Sequence, residues 1–249
     1  MQLNRRFGHL QWNINYTFSR TIIYNNDSNT TLWQFVNAEL TKNVLNRRHA
    51  INYNFGYDIP DVSRKLWSNS VGKALFDGWH INGNGSVFAG TPYTVGCSAT
   101  GQPSQYWTGT PTAYLPFRCQ MGSNIFLPAG QLPSSTEDPR LQVPLNAANF
   151  TLPAANSLGL GNTPPTLFYG PWLWTVDLSL AKMTRIAEGK TLELRVETFN
   201  TFNHFNPSNP NTSLTLNFTS GANTNAAFGT IQSAQVQARH VALSARFRF

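Results

Sequence analysis

Three ionisable side chains near the C-terminal end of the chain have a spacing that could support acid–base chemistry. Glu193, Arg195 and Glu197 are each separated by one residue, so in a β-strand they share one face. Two carboxylates beside a guanidinium can act as a general acid and base. Such a trio is more often a charge ladder along a wetted sheet face, and we therefore expect no enzymatic activity.

The other chemically capable residues are isolated along the sequence. No histidine pair has metal-ligand spacing, and neither a Gly-x-Ser-x-Gly motif nor a phosphate-binding loop is present. Asp138 stands before Pro139 in a proline-rich segment with no partner carboxylate. The sequence therefore predicts no catalytic residue, no metal site and no cofactor. The isolated histidines are His9, His49, His80, His204 and His240.

The two cysteines, Cys97 and Cys119, both lie in a segment rich in Pro, Gly, Ser and Thr. In an oxidising exterior they would form a disulfide, and in a reducing compartment they would stay free thiols. Closing a loop of this length stabilises a fold by about 3 kcal/mol in the chain-entropy description. We expect the disulfide if the segment faces the exterior.

The composition favours β-structure with one wetted face. Only 12% of the residues are charged, whereas 13% are aromatic, and the mean hydropathy is −0.29. No apolar run approaches the roughly 20 residues that a membrane-spanning helix needs. A barrel with a lipid face and a wet lumen fits this composition, and so does a secreted β-sandwich or lectin-like domain.

The net charge of +7 raises the possibility of nucleic-acid binding. The basic residues are dispersed and build no dense stripe with interleaved stacking aromatics. We therefore expect no nucleic-acid partner and assign the charge to a solvated rim and lumen.

Alternation with period two predicts about six strands. In the last of them, Val241, Leu243, Ala245, Phe247 and Phe249 share one face, which is apolar enough for lipid. The opposite face carries Ala242, Ser244, Arg246 and Arg248. The predicted strands cover residues 7–19, 48–59, 79–90, 172–183, 191–200 and 239–249.

The predicted connections differ in length from one end of the sheet to the other. Long connections at residues 20–47, 91–171 and 201–238 emerge on one side. Shorter ones at residues 61–78 and 184–190 emerge on the opposite side. Outer-membrane barrels have this asymmetry, with long loops outside and short turns at the periplasmic side.

Several motifs occur in a fixed order along nearly the whole chain, and they resemble the C-terminal part of TonB-dependent receptors, particularly the Oar-like group. Ala89-Gly90-Thr91-Pro92-Tyr93, Phe228-Gly229-Thr230-Ile231 and the terminal aromatic belong to this series. The chain departs from the group's pattern at Asn46, which replaces an acid, and at Ile59, which replaces Leu. The motifs begin with Asn46-Arg47-Arg48-His49 and Tyr57-Asp58-Ile59-Pro60. They continue with Gly78-Trp79-His80-Ile81-Asn82-Gly83, with Gly170-Pro171 leading to Val176-Asp177-Leu178-Ser179, and with Glu197-Thr198-Phe199-Asn200-Thr201-Phe202-Asn203-His204.

The resemblance implies an all-β, antiparallel up-and-down transmembrane barrel segment, about six strands of a larger, probably 22-stranded barrel. Residues 1–249 would be its C-terminal portion, and residues 91–171 a long extracellular loop insertion. No plug domain, signal peptide or TonB box is recognisable, so we expect a fragment cut off upstream. Its lumen-facing polar residues would be Glu193, Arg195, Glu197, Arg246 and Arg248, and its C-terminal assembly signal Phe247 and Phe249.

The resemblance also implies energised uptake or export of a substrate across the cell outer membrane of a Gram-negative-type bacterium. The partners would be outer-membrane lipid, the barrel-assembly machinery and TonB, the last through the missing N-terminal region. The substrate stays open among iron chelates, cobalamin, oligosaccharides and secreted peptides. The alternatives are a non-enzymatic surface adhesion protein that uses the same loops, and a soluble secreted sandwich.

Overall fold

The computed structural model of the protein describes residues 1–24, 40–42, 46–67, 69–101, 118–135, 138–154, 161–164 and 166–249. These described residues form fifteen strands and two short α-helices. The first strands are β1 (Gln2–Phe7), β2 (Leu10–Phe18), β3 (Ile22–Tyr24), β4 (Leu40–Lys42) and β5 (His49–Asp58). The helices α1 (Ser63–Leu66) and α2 (Ser70–Phe76) precede β6 (Trp79–Phe88). Then follow β7 (Pro92–Tyr93), β8 (Gly96–Thr100), β9 (Gln120–Met121), β10 (Phe150–Thr151), β11 (Phe168–Tyr169), β12 (Leu173–Ala187), β13 (Lys190–Phe199), β14 (Ser213–Asn217) and β15 (His240–Arg248).

The long strands form one seven-stranded sheet in the order β1-β2-β5-β6-β12-β13-β15. Every neighbouring pair in this sheet is antiparallel. The chain therefore passes up and down through the sheet in sequence order, and β1 and β15 are its two edges. The all-β, up-and-down prediction is confirmed.

The sheet has one strand more than the six that the sequence pattern located. A separate strand, Gln2–Phe7, pairs antiparallel with Leu10–Phe18 through a tight turn. Gly8 takes a φ of 55° in that turn, a backbone conformation that suits glycine. The first predicted strand, residues 7–19, therefore begins at Leu10 in the structure. The alternation of apolar and polar residues continues through the turn, so the sequence pattern did not reveal it.

The predicted end of the fourth strand is also wrong. Strand β12 continues to Ala187 rather than stopping near residue 183. Only Glu188 and Gly189 separate it from β13, and Gly189 has a φ of 71°. The register shifts between Arg185 and Ala187, so a bulge lets the hairpin extend beyond the regular alternation.

The register places side chains of like chemistry on each face of the sheet. Leu180 lies opposite Ile81, whereas its neighbour Ser179 lies opposite Asn82. Because successive strand residues point to opposite sides, the sheet has one face that carries the Leu180 row and one that carries the Ser179 row. We call these the apolar face and the polar face.

Two glycines on the apolar face are covered by aromatic rings of the neighbouring strand. Gly83 lies opposite Phe55, and Gly85 lies opposite Tyr53. A Cβ built on either glycine would come within 2.3 Å of that ring. The apolar face stays filled at these two glycines, because each ring occupies the space that a side chain would take.

The main buried core lies outside the seven-stranded sheet. It is formed by the two longest connections, residues 91–171 and 201–238, whose described parts we call the cap. Strands β8 and β14 pair in parallel across the two connections. The cap thus carries its own short elements, as a functional long loop requires. Its buried cluster consists of Val95, Cys119, Leu145, Phe150, Leu214, Leu216 and Phe228.

The opposite end of the sheet has short connections, and we call it the turn end. It contains the β1–β2 and β12–β13 turns and the two helices between β5 and β6. Among the described residues, no helix is both long enough and apolar enough to cross a membrane.

Candidate functional site

The predicted charge ladder forms on the polar face near the turn end. Glu193 accepts hydrogen bonds from Arg195 Nη2 at 2.5 Å and from Arg248 Nη2 at 3.2 Å through its two carboxylate oxygens. Arg195 Nη1 also lies 3.5 Å from Glu197 Oε1, and Arg246 lies opposite Glu193 in the register. Since both oxygens of Glu193 already face guanidinium groups, the arrangement ties β13 to β15 rather than presenting a free base.

A row of amide side chains crosses the polar face farther from the turn end. Asn4, Asn13, Asn54 and Asn84 lie opposite one another on four successive strands, and Asp177 follows on the fifth. Amides both donate and accept hydrogen bonds and carry no charge. This part of the polar face therefore offers a hydrogen-bonding surface that is uncharged on four strands and ends at the Asp177 carboxylate on the fifth.

A hydrogen bond between His80 and Asp58, which sequence reasoning missed, lies on the polar face, and in the register His80 is level with Arg195 of the charge ladder. His80 Nδ1 is 2.6 Å from Asp58 Oδ1. The two residues face each other because Asp58 ends β5 and His80 is the second residue of β6. The only sequence signal for this contact is that the two residues lie at the ends of neighbouring strands, on either side of the connection between β5 and β6.

The structure joins Cys97 and Cys119 in a disulfide, with their Cα atoms 5.8 Å apart. Cys119 is fully buried in the cap core, and its carbonyl oxygen accepts a hydrogen bond from Thr163 Oγ1 at 2.7 Å. Cys97 lies on β8, opposite Leu214 of β14. The disulfide therefore links β8, which pairs with β14 of the other long connection, to the centre of the shared core.

Buried asparagines fasten the cap to the end of the sheet, although sequence reasoning did not select them as site residues. Asn206 is fully buried. It accepts a hydrogen bond from Trp174 N at 2.9 Å and donates to Trp174 O at 3.0 Å. Asn200, with a φ of 50°, accepts from His204 N at 2.9 Å and donates to Gln237 O at 3.1 Å. The motif at residues 197–204 thus closes the rim between β13 and the cap.

A cleft of about 530 Å³ opens in the cap where the two long connections meet. Its lining is uncharged, but the guanidinium of Arg47 reaches its edge and donates to Gln235 Oε1 at 2.9 Å. Hydroxyl and amide groups surround the opening, so it can hydrogen-bond a polar solute. The lining residues are Thr91, Ser208, Asn209, Pro210, Asn211, Thr212, Ser213, Gln232, Ser233 and Gln235.

An aspartate and a tyrosine of the cap have pKa values that depart from their ordinary values. The side chain of Arg140, and then its backbone N–H, lower the pKa of Asp138 to about 2. Burial raises the pKa of Tyr93 above its ordinary value. Asp138 caps the short 3-10 helix Pro139–Leu141, so its charge has a structural role. In the described part of the chain, no cluster of three or more His, Cys, Asp or Glu residues could hold a metal ion.

The two aromatics at the C-terminal end lie on the outer edge of the sheet. Phe247 lies opposite Leu192 on the apolar face, and its ring centroid is 6.1 Å from that of Phe249. Phe249 is 95% exposed. Their role as an assembly signal stays a prediction.

The chain matches a known protein family over nearly its whole length. Residues 1–242 match the family described as "Outer membrane beta barrel domain". No curated protein and no solved structure gives a significant match. The matched residues include the first six strands of the sheet, the whole cap and the first residues of β15.

Proposed function

Because the chain belongs to the outer membrane beta barrel domain family, we propose that it forms part of the wall and the recognition surface of a TonB-dependent receptor. It is an all-β protein of the cell outer membrane. In this proposal the receptor carries a solute across that membrane, using energy that TonB delivers from the inner membrane. No reaction is assigned to the protein.

The sheet supplies the wall of the pore. Its apolar face contacts lipid, and its polar face lines a wet interior, as in other barrels of this membrane. An open edge in hydrocarbon leaves backbone groups unsatisfied at a cost of several kcal/mol each. The edges β1 and β15 therefore pair with further strands of a closed barrel, which the assembly machinery completes.

The cap is the observation that carries the proposal. Two connections that the β12–β13 hairpin separates in the sequence share one buried core, one parallel strand pair and a disulfide next to it. Such packing holds a surface in a fixed shape, which selective recognition needs. Both connections leave the same end of the sheet, and the disulfide suits an oxidising exterior, so we place the cap outside the cell.

The assignment to TonB-dependent receptors rests on the ordered motifs. The Asn200 to His204 segment, which belongs to one of them, contributes buried hydrogen bonds at the junction of wall and cap. A motif that builds this junction suits receptors in which the outer loops and the wall act together. The uncharged cleft of the cap is the candidate contact for the solute.

The test measures uptake by cells that produce the protein. The labelled solutes to screen are ferric chelates, cobalamin, oligosaccharides and short peptides. We expect accumulation of one class to depend on TonB and to disappear when a short turn replaces residues 91–171. The control variant is Glu188→Gln, which changes an exposed turn residue at the opposite end and should leave uptake unchanged.

Two results would contradict the proposal in different ways. If removing TonB leaves accumulation unchanged, the proposal of TonB-energised transport is wrong. If the cap retains a ligand at the cell surface and none enters with or without TonB, the protein is a surface adhesion protein instead.

A further inference from the structure

The two short helices at the turn end carry apolar side chains that no part of the described chain covers. Leu66 is 68% exposed, Trp67 52%, Val71 55% and Leu75 52%. Helices of four and seven residues are too short to be stable alone. Their position and their exposed surface therefore both need an explanation. We call residues 63–76 the helical hairpin.

Specific polar contacts hold the helical hairpin in one conformation. Ser63 donates to the Asp77 carboxylate through its backbone N at 3.0 Å and through its hydroxyl at 2.5 Å, and the hydroxyl bond lowers the pKa of Asp77. Asn69 accepts from Gly72 N at 2.8 Å and caps α2. A Cβ at Gly72 would meet the Trp67 carbonyl, so the close approach of α2 to Trp67 requires glycine. The exposed apolar surface thus belongs to a well-defined structure.

Two residues fix the side of the sheet on which the helical hairpin lies. Trp79 donates its indole N–H to Leu75 O at 2.9 Å. Lys182 Nζ donates to Asp77 O and lies 5.4 Å from the centre of the Trp79 ring. Lys182 lies opposite Trp79 and Leu194 in the register, which places it on the apolar face. The helical hairpin is therefore fastened to the edge of the face that contacts lipid.

The exposed surface combines apolar groups with cations. Lys65 and Lys73 lie on the same two helices as the apolar residues and are exposed. Segments that rest in a membrane surface pair Trp and Leu, which enter the acyl boundary, with lysines that reach the phosphates. Each such cation adds about 1 kcal/mol of attraction to an anionic surface.

We propose that the helical hairpin is a membrane-interface anchor that binds anionic phospholipid. Leu66, Trp67, Val71 and Leu75 enter the boundary between headgroups and acyl chains, and Lys65 and Lys73 contact the phosphates. The surface continues the lipid-facing side of the sheet, so one bilayer covers both. The assignment of the anchor to one leaflet rests on the proposed function, in which the turn end faces the periplasm and meets the phospholipid leaflet. Lipid contact itself does not depend on transport.

The test uses the full chain in vesicles of phosphatidylethanolamine and phosphatidylglycerol. Spin labels are attached at Leu66→Cys and, in a second variant, at Leu75→Cys, since the native cysteines are paired. We expect both labels to be relaxed more by oxygen, which concentrates in lipid, than by a water-soluble nickel chelate. A label at Glu188→Cys, in the β12–β13 turn of the same end, is the control and should respond mainly to nickel.

A second variant tests the contribution of charge. In Lys65→Glu with Lys73→Glu, we expect the label at Leu66→Cys to shift toward nickel accessibility, by more in vesicles with phosphatidylglycerol than in vesicles of phosphatidylcholine. Arg6→Glu, on the polar face at the same end, should cause no shift. If the Leu66→Cys and Leu75→Cys labels respond to nickel like the Glu188→Cys label, this surface lies in water and the anchor is overturned. Uptake that fails while lipid contact persists would contradict only the transport proposal.

Discussion

Asparagine has two different roles in this chain, and burial separates them. Asn84 is exposed on the polar face, where its amide is accessible to solvent or solute. Asn206 is fully buried and replaces a missing strand partner for the backbone of Trp174. An amide suits this second role because it presents one acceptor and two donors in one plane.

We expect Asn206→Ala to lower the free energy of unfolding by about 2–4 kcal/mol, since it leaves a buried N–H and a buried C=O without partners. Unfolding in urea from lipid vesicles, followed by tryptophan fluorescence, measures the change. Asn84→Ala is the matched control and should lower stability by less than about 0.5 kcal/mol, as exposed substitutions do. Equal losses in both variants would mean that Asn206 does not anchor the cap.

At the scale of single elements, the middle of the sheet depends on ring-over-glycine pairs. Strand β6 has Gly83 and Gly85 on the apolar face, and strand β5 supplies Phe55 and Tyr53 to cover them. Glycine weakens the interior of a strand because it has no side chain to pack, but here the missing side chain leaves room for the ring of the neighbouring strand. The two strands therefore act as one packed unit.

We expect Gly85→Ala to destabilise the protein by about 1–3 kcal/mol, because the new methyl group collides with the Tyr53 ring. The same change in a Tyr53→Ala background should cost much less. A double-mutant cycle of unfolding free energies gives the coupling between the two positions. Additive effects would show that the ring does not depend on the glycine.

The disulfide acts on the cap as an element of its own. Replacing both Cys97 and Cys119 with serine should destabilise the cap by about 3 kcal/mol, because the open chain regains loop entropy. Proteolysis should then cut within residues 91–171 faster, while the sheet keeps its resistance to denaturant. The double replacement with alanine is the control for the serine hydroxyls. A loss of sheet stability of the same size would show that cap and sheet unfold together.

The sequence predicted elements well where alternation was long and failed where it was short. Six of the seven sheet strands were located to within a few residues at each end, because a long run of alternating positions fixes a strand. Gln2–Phe7 was missed because it has six residues and carries Arg5 among its apolar positions. The helices α1 and α2 were missed because four and seven residues give no helical period.

The candidate site divides in the same way. The charge ladder follows directly from residues two apart on one strand, so sequence alone could predict that Glu193 and Arg195 share a face. The cap core joins Val95, Leu145 and Leu214 across long separations, and no local pattern records such contacts. The asparagine anchors were visible as a motif, but only the fold reveals that Asn206 is buried.

At the scale of the whole molecule, the distribution of buried residues implies two different surroundings. Most buried apolar side chains are in the cap, whereas Leu194, Val196 and Leu243 on the apolar face remain exposed. A soluble protein seldom leaves so continuous an apolar surface uncovered. Lipid removes this cost, so the bilayer takes the place of a second layer of structure over the sheet.

This assignment of faces predicts how single cysteines react in intact membranes. We expect cysteines at Asn54 and Asn84 to be labelled by a water-soluble maleimide, because the polar face lines the wet interior. Cysteines at Leu178 and Leu194 should react only with a reagent that partitions into lipid. The unsubstituted protein is the control, since its own cysteines are paired. Rapid labelling of Leu178→Cys by the water-soluble reagent would place water on the apolar face and contradict the barrel wall. Protection of all four positions would instead mean that another layer of protein covers the polar face.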